Sequence, residues 1–290
     1  MPQYLFNYHY FQKQYENDII KNNDEEKTKQ LKKLVTPFIL RRNKKEVLTE
    51  LPDKIEQNII LPFNDEEEKL YVANLAEVNK ELQELYDLEG SDKMQILKLL
   101  TRLRQLCLEP RLVYDNIDQP SSKLKACMEL IKTMQENKQK VLLFSSFTSV
   151  LDLIAEECQK AGITYYMLTG STNKEDRREL VSRFQKDDTT VFLISLKAGG
   201  TGLNLTSAEA VIHFDPWWNV SAQNQATDRA YRIGQKNNVQ VFNLVMKDSV
   251  EEKIIELQKR KKELADMFVE NNSGGLSQMS KEDILSLFTM

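Results

Sequence analysis

The chain has 290 residues, 41% of them hydrophobic and 29% charged, with a net charge of −4 and a pI near 5.5. No apolar run approaches the roughly 18 residues of a membrane span, and the acidic balance gives no support for a dedicated nucleic-acid binder. Three scattered cysteines (Cys107, Cys127, Cys158) and two isolated histidines (His9, His213) argue against a disulfide framework or a metal cluster, and they fit a reducing compartment.

Residues 1–50 read as helical, with a polar, acidic and lysine-rich break at 21–30. The start, "MPQYLFNYHYFQ", lacks the charged-then-apolar pattern of a signal peptide. "KIEQNII", bracketed by Pro52 and Pro62, has the β-branched content of an extended segment or edge strand. Asn64 can cap a helix whose first turn holds Glu66 and Glu67, with Leu70, Leu75 and Leu82 as its apolar positions. A second helix is predicted over 92–107, and the turn-rich "EPRLVYDNIDQPSS" places a domain boundary near residue 120.

From residue 121 the pattern alternates. A helix over 122–136 precedes the compact strand "KVLLFSSF". A helix with Phe147, Leu151, Ile154 and Cys158 on one face precedes the strand "ITYYML". Thr172 and Glu175 form a capping box for the next helix, and the strands "TTVFLIS" and "AEAVIHFD" follow. A helix capped by Ser221 carries "ATDRAYRIGQ", and "NNVQVFNLVM" is the last strand. A long helix from Ser249, boxed by Glu252, bears the stripe Val250, Ile254, Leu257, Leu264 and Phe268, interrupted by Lys261, and should lie along the domain surface. Strands alternating with amphipathic helices predict an α/β fold: a parallel sheet covered on both faces. Ligands of such sheets bind outside the carboxyl ends of the strands, so function is expected in the loops there.

Three stretches in those loops can carry chemistry. "SLKAGGTGLNLT" holds Gly199, Gly200 and Gly202 after a strand. Such a loop is either a tight turn or a place where backbone amides approach a ligand. If "ATDRAYRIGQ" is one helix, Gln225, Arg229 and Arg232 fall within about 60° of each other and face a polyanion or solvent. In "FDPWWNV" the adjacent Trp217 and Trp218 cannot point the same way, so either one belongs to the core and the other lies near the rim, or both are buried. No glycine is followed by lysine, which excludes a P-loop, and no Asp-Glu pair follows an apolar strand as a magnesium-binding motif would. The chain thus has oxyanion-stabilising groups without a phosphate cradle or a metal site.

"KVLLFSSFTSVLDLI", "YYMLTGSTNKEDRRELVSRFQ", "LISLKAGGTGLNLTSAEAVIHFDPWWN" and "QNQATDRAYRIGQ" resemble, in order, the second-lobe motifs of the Swi/Snf-type DNA-dependent ATPases of helicase superfamily two. "FILRRNKKEVLTELPDK" resembles the segment between their lobes. The resemblance implies a RecA-like lobe with N-terminal helical insertions and a C-terminal brace helix. Its expected divisions are a helical protrusion over 1–50, a linker and second protrusion over 51–120, the lobe over 121–248, and a brace and tail over 249–290. It implies the C-terminal half of an ATP-driven double-stranded-DNA translocase. ATP and Mg would be held mainly by a first lobe outside this chain, so the chain alone would be inactive. Arg229 and Arg232 correspond to the family's arginine fingers, and Gln225, Gly200 and Gly202 to residues near nucleotide. Ser145, Ser146, Gly170, Ser171, Thr172, Lys197, Thr201 and Trp218 fall where the family contacts DNA. Partners would be duplex DNA, the first lobe and a DNA-bound protein, with no membrane, in a bacterial cytoplasm or, in a eukaryote, a nucleus. The alternative is a binding module that uses the same fold without chemistry. Val220 stands where the family carries proline and leaves the turn there open.

Overall fold

The structure, a computed structural model, describes residues 7–16, 18–19, 24–35, 51–87, 93–199 and 203–268. These divide into two compact units, one before residue 50 together with the last helix from Arg260 onward, the other from Leu51 to Lys259. In the first, a short helix α1 (Tyr8–Phe11) runs into a wider turn over Gln12–Glu16, and Asn7 caps it by accepting the Tyr10 N–H at 2.9 Å. Helix α2 (Glu25–Val35) begins inside the expected break. The reason is Asp24, whose Oδ1 accepts the Glu26 and Lys27 amides at 2.9 and 3.0 Å and makes a helix start out of a polar stretch.

The second unit is built on a six-stranded sheet: β1 (Lys54–Leu61), β2 (Val141–Ser145), β3 (Tyr165–Leu168), β4 (Val191–Ser195), β5 (Ala210–His213) and β6 (Val239–Met246). The order is β1-β6-β5-β2-β4-β3 and every pair is parallel. The expected edge strand is the edge strand β1, and the sheet therefore draws one member from ahead of residue 121. "VLLFS" and "VFLIS" are buried at every position because both faces of these central strands are covered.

One face packs Leu143, Leu193 and Ile212 against helices α5 (Ser122–Glu136) and α6 (Thr148–Lys160). Val150, Leu151, Ile154 and Cys158 form the buried stripe of α6; each fully buried aliphatic side chain contributes about 1.5–3 kcal/mol. The other face packs Leu142, Phe144, Phe192 and Val211 beneath helix α7 (Lys174–Phe184) and helix α9 (Val220–Thr227). Between β4 and β5 lies a single helical turn, α8 (Leu196–Gly199). A third apolar cluster joins the hairpin of α3 (Asp65–Asp87) and α4 (Lys93–Leu108) to the start of α10 (Val250–Phe268) through Leu103, Leu106, Trp218, Met246 and Ile254. The apolar positions expected on α10 that have described side chains, Val250, Ile254 and Leu257, are all buried there.

Helix starts follow capping chemistry closely, with three shifts. Asn64 Oδ1 accepts the Glu66 and Glu67 amides while Glu67 Oε2 accepts the Asn64 N–H at 3.1 Å, a reciprocal box. The cap of α7 is Asn173 rather than Thr172, accepting from Glu175 and Asp176 at 3.0 and 2.9 Å; Thr172 Oγ1 instead accepts the Thr169 N–H and closes the preceding turn. The cap of α9 is Asn219, which puts Ser221 inside the first turn and Val220 at its first residue, where a proline would suit the geometry equally well. At α10, Ser249 Oγ accepts the Glu251 N–H at 3.1 Å, and Glu252 reaches Asp248 N rather than Ser249 N.

Candidate functional site

The carboxyl end of the sheet is organised around Asp215, fully buried just beyond β5. Its Oδ1 accepts from Ser145 Oγ at 2.7 Å and from Ser146 N at 3.0 Å, and its Oδ2 bonds Ser146 Oγ. Arg104, from α4, donates to Asp215 Oδ2 at 2.8 Å, to Ser146 Oγ at 3.0 Å and to Pro216 O at 3.3 Å. The same guanidinium lies 5.0 Å from the ring of Phe147, 5.9 Å from Trp217 and 5.4 Å from Trp218. One buried carboxylate and one buried arginine thus fix the loops after β2 and β5 together.

The arginine segment departs from the helical expectation. Helix α9 ends at Thr227 with Asp228 as its cap, and residues 229–234 run through successive turns. Arg229 N bonds Ala226 O and Ala230 N bonds Thr227 O, both at 3.1 Å, so the 3.6-residue period is lost. The shared helical face predicted for Gln225, Arg229 and Arg232 does not form; Gln225 is on α9 and the two arginines are on the turn after it. The two arginines still interact electrostatically, Arg232 being a second cation that acts on Arg229. Burial, and then that second cation, hold the Arg229 guanidinium below its ordinary pKa, against the opposing pull of Asp228. The Nε of Arg229 is buried and, among the described residues, has no hydrogen-bond partner.

The turn is anchored to the segment that follows the glycine loop. Leu205 N donates to Arg229 O at 3.0 Å, and Gln235 Nε2 donates to Ala208 O at 2.8 Å and to Ala230 O at 3.3 Å. Gly234 adopts φ +101°, a conformation that favours glycine at the tip of the turn.

The other expected residues divide sharply. Lys197 on α8 is exposed, beside Ala198, whose carbonyl accepts from Arg177 at 2.8 Å. Gly170, Ser171 and Thr172 form the turn between β3 and α7, and Ser146 is half-buried at the end of β2. Ser145 is fully buried with its hydroxyl bound to Asp215, and Trp218 packs in the third cluster at 6% exposure. Neither presents a surface to a duplex in this conformation; of the two tryptophans Trp218 is the core residue and Trp217 the half-buried one. Gly200, Thr201 and Gly202 lie outside the described residues.

Sequence reading missed Arg104 and the ion pair of Lys123 with Glu251. Lys123 Nζ meets both Glu251 carboxylate oxygens at 2.6 and 2.7 Å with both side chains buried, and Glu251 Oε2 also accepts the Met246 N–H at 2.9 Å. Burial raises the Glu251 pKa, and the Lys123 ammonium opposes that rise. Both cations carried a signal: Arg104 lies four residues after Leu100 and three before Cys107, and Lys123 four before Cys127, each on its helix's buried stripe. Among the described residues no cluster of His, Cys, Asp and Glu could hold a metal, and no helix is long and apolar enough to cross a membrane.

A six-stranded parallel sheet with helices on both faces places this unit in the RecA-like α/β class. Residues 122–234 match the model of the helicase conserved C-terminal domain, and residues 1–112 that of the SNF2-related domain. The chain belongs to the Swi/Snf-type family of helicase superfamily two and fits the C-terminal half of its ATPase core. It is 37% identical over 99% of its length to an uncharacterized ATP-dependent helicase of Mycoplasma pneumoniae, and 34% identical over 89% to the ISWI chromatin-remodeling complex ATPase ISW1 of Saccharomyces cerevisiae. It spans 27% and 24% of those relatives. Its fold superposes on the C-terminal part of the Fun30 ATPase domain with TM-score 0.67 and 26% identity, covering 82% of this chain and 98% of that one. It matches the Sulfolobus solfataricus SWI2/SNF2 ATPase core in complex with dsDNA with TM-score 0.66 and 31% identity, over 98% of this chain and 60% of that one.

Proposed function

We propose that the chain is the second motor lobe of an ATP-driven double-stranded-DNA translocase. Its part is to supply Arg229 and Arg232 to a nucleotide cleft completed by a first lobe. The observation that carries this reading is the buried Nε of Arg229, which has no partner among the described residues, next to a second guanidinium. A desolvated, half-satisfied cation beside a like charge is relieved by an anion with several oxygens. The γ-phosphoryl group of ATP supplies such oxygens, and its charge is delocalised over them during transfer. ATP and Mg would be held mainly by the first lobe; Gln225, Gly200 and Gly202 are the residues of this chain expected near nucleotide. Lys197, Thr201, Ser146, Gly170, Ser171 and Thr172 are the proposed contacts to the DNA backbone. The dsDNA complex of the archaeal relative and the remodelling role named for the yeast relative support a duplex substrate.

The test is ATP hydrolysis by the full-length protein with and without duplex DNA. Arg229→Ala or Arg232→Ala should lower the duplex-stimulated rate by about 10³–10⁵, the range for arginine fingers. Unchanged rates would refute the assignment. The 290-residue chain alone should hydrolyse no ATP, and robust turnover by it would refute the division of labour between lobes.

A further inference from the structure

Loop 215–218 is gripped from three sides. Arg104 holds it from α4 through Asp215, Pro216 O and the two tryptophan rings. From α9, Gln223 Oε1 accepts the Trp217 N–H at 3.2 Å. From α10, Gln258 Nε2 donates to Trp217 O and to Gln223 Oε1, the latter at 3.2 Å. Gln223 itself is 7% exposed and every polar atom of its side chain is used, because its Nε2 donates to Asn243 Oδ1 at 2.9 Å. Asn243 extends the chain to the sheet edge, donating to Asn58 Oδ1 at 2.8 Å and Glu56 Oε1 at 3.2 Å.

Helix α9 is two turns long, and its far end is fixed as well: Thr227 Oγ1 lies 2.9 Å from His213 Nε2. Arg229 follows two residues later. A short helix whose first turns are bonded to loop 215–218 and whose last residue feeds the arginine turn acts as a rigid link, since its length cannot change without breaking its own ladder. We propose that Gln223 is a positioning residue that carries the setting of loop 215–218 to the arginine turn. Gln258 adds the start of α10 to the same junction. The link stands on the geometry; that duplex DNA is what sets the loop rests on the function proposed above.

The chain contains two tryptophans, and both lie in this loop, so intrinsic fluorescence reports the loop directly. Hydrogen exchange of amides 226–235 reports the arginine turn. A short DNA duplex added to the chain should shift the tryptophan emission and slow exchange at 226–235. In Gln223→Met the emission shift should persist and the exchange response should vanish. Gln223→Glu keeps the acceptor for the Trp217 N–H and the Gln258 N–H but loses the donor to Asn243, so it should restore the response in part. In the full-length protein, Gln223→Met should lower the ratio of duplex-stimulated to basal ATPase at least about fivefold, the lower end of a coupling between sites, with the basal rate held within about twofold.

An exchange response that survives in Gln223→Met overturns the proposal, as does a proportional fall of both ATPase rates, which marks a purely structural residue. If Gln223→Met does not fold, Gln258→Met removes the α10 bonds alone and should keep the exchange response; its loss there would assign the link to α10 instead and overturn the proposal. A flat emission response in the unmodified chain means that duplex DNA does not set the loop. The link is then decided without DNA: exchange at 226–235 rises in Gln223→Met while helix 122–136 is unchanged, or the proposal fails.

Discussion

Arg104 and Arg229 both place a guanidinium within the unit built on the sheet, and they are satisfied in opposite ways. Arg104 is 6% exposed and meets a carboxylate, a hydroxyl, a carbonyl and three aromatic rings. Arg229 is half-buried, its neighbour is a second cation, and its Nε has no partner among the described residues. Desolvated charge is costly unless paired, so the first is a joint, and the second is left in the state that an anion would relieve. On the function proposed above, the contrast separates residues that hold the fold together from residues that act on a ligand.

The largest expected effects test the two sides directly. Arg229→Ala should abolish nearly all duplex-stimulated ATPase in the full-length protein, as above, yet leave the thermal stability of this chain equal or higher, because an orphaned donor and a like-charge neighbour are both removed. Arg104→Ala should do the reverse at the level of folding. It strands Asp215, and breaking a buried pair from one side costs about 3–5 kcal/mol. Urea denaturation of both variants checks the pair: an Arg104→Ala chain as stable as its parent, or an Arg229→Ala chain much weaker, erases the distinction.

The Lys123 and Glu251 pair extends the joint class to a point remote from the arginine turn. Lys123→Met alone should cost about 3–5 kcal/mol, since it leaves a buried carboxylate with only the Met246 amide. Adding Glu251→Met should recover most of that loss. Thermal melts of the two singles and the double decide it, and additive losses would show that the residues do not act as a pair.

Most of the lobe was legible because its elements are locally consistent. The strands "VLLFS" and "VFLIS" are apolar runs with both faces covered, and α5 begins and ends where the pattern placed it. What was not legible depends on contacts made across the chain. Asp215 and Arg104 lie 111 residues apart and Lys123 and Glu251 128 apart, so no local period joins them. The arginine turn misled in another way. Ala226 to Arg232 has good helical composition, but hydrogen bonds from Leu205 and Gln235 hold the carbonyls of Arg229 and Ala230 in a turn. Tertiary bonding overrode local propensity there. The same limit explains Trp218, whose burial is decided by α3, α4 and α10 rather than by its neighbours in sequence.

His213 stands between the two arginines in satisfaction: its Nε2 meets Thr227 Oγ1, and its Nδ1 is buried without a partner among the described residues. Burial brings its pKa from 6.5 down to about 4. Below pH 6.5 the unfolded chain takes up a proton that the folded chain refuses until about pH 4, so this contribution to stability is complete above that window and lost as pH falls through it. The loss should approach about 3 kcal/mol. His213→Gln should flatten the slope of stability against pH between those limits. An identical slope in parent and variant would mean that His213 is protonated as readily in the fold as outside it.

The smallest effect belongs to glycines, where the same division can be drawn without charge. Gly234 sits at φ +101° in the arginine turn, whereas Gly170, in the turn after β3, has no positive φ and an added Cβ would meet nothing within 4 Å. Gly170→Ala should therefore leave the fold intact or stabilise it by about 0.4–1 kcal/mol through the unfolded chain, and Gly234→Ala should destabilise it. If the turn at 170–172 contacts the DNA backbone, the free space beside Gly170 is where a phosphate approaches, and the methyl group should weaken duplex binding while the melting temperature holds or rises. Fluorescence titration with duplex beside a thermal melt reads both quantities from one sample. A Gly170→Ala chain that binds duplex as its parent does would remove this turn from the ligand-facing side of the molecule and leave it a plain connection between β3 and α7.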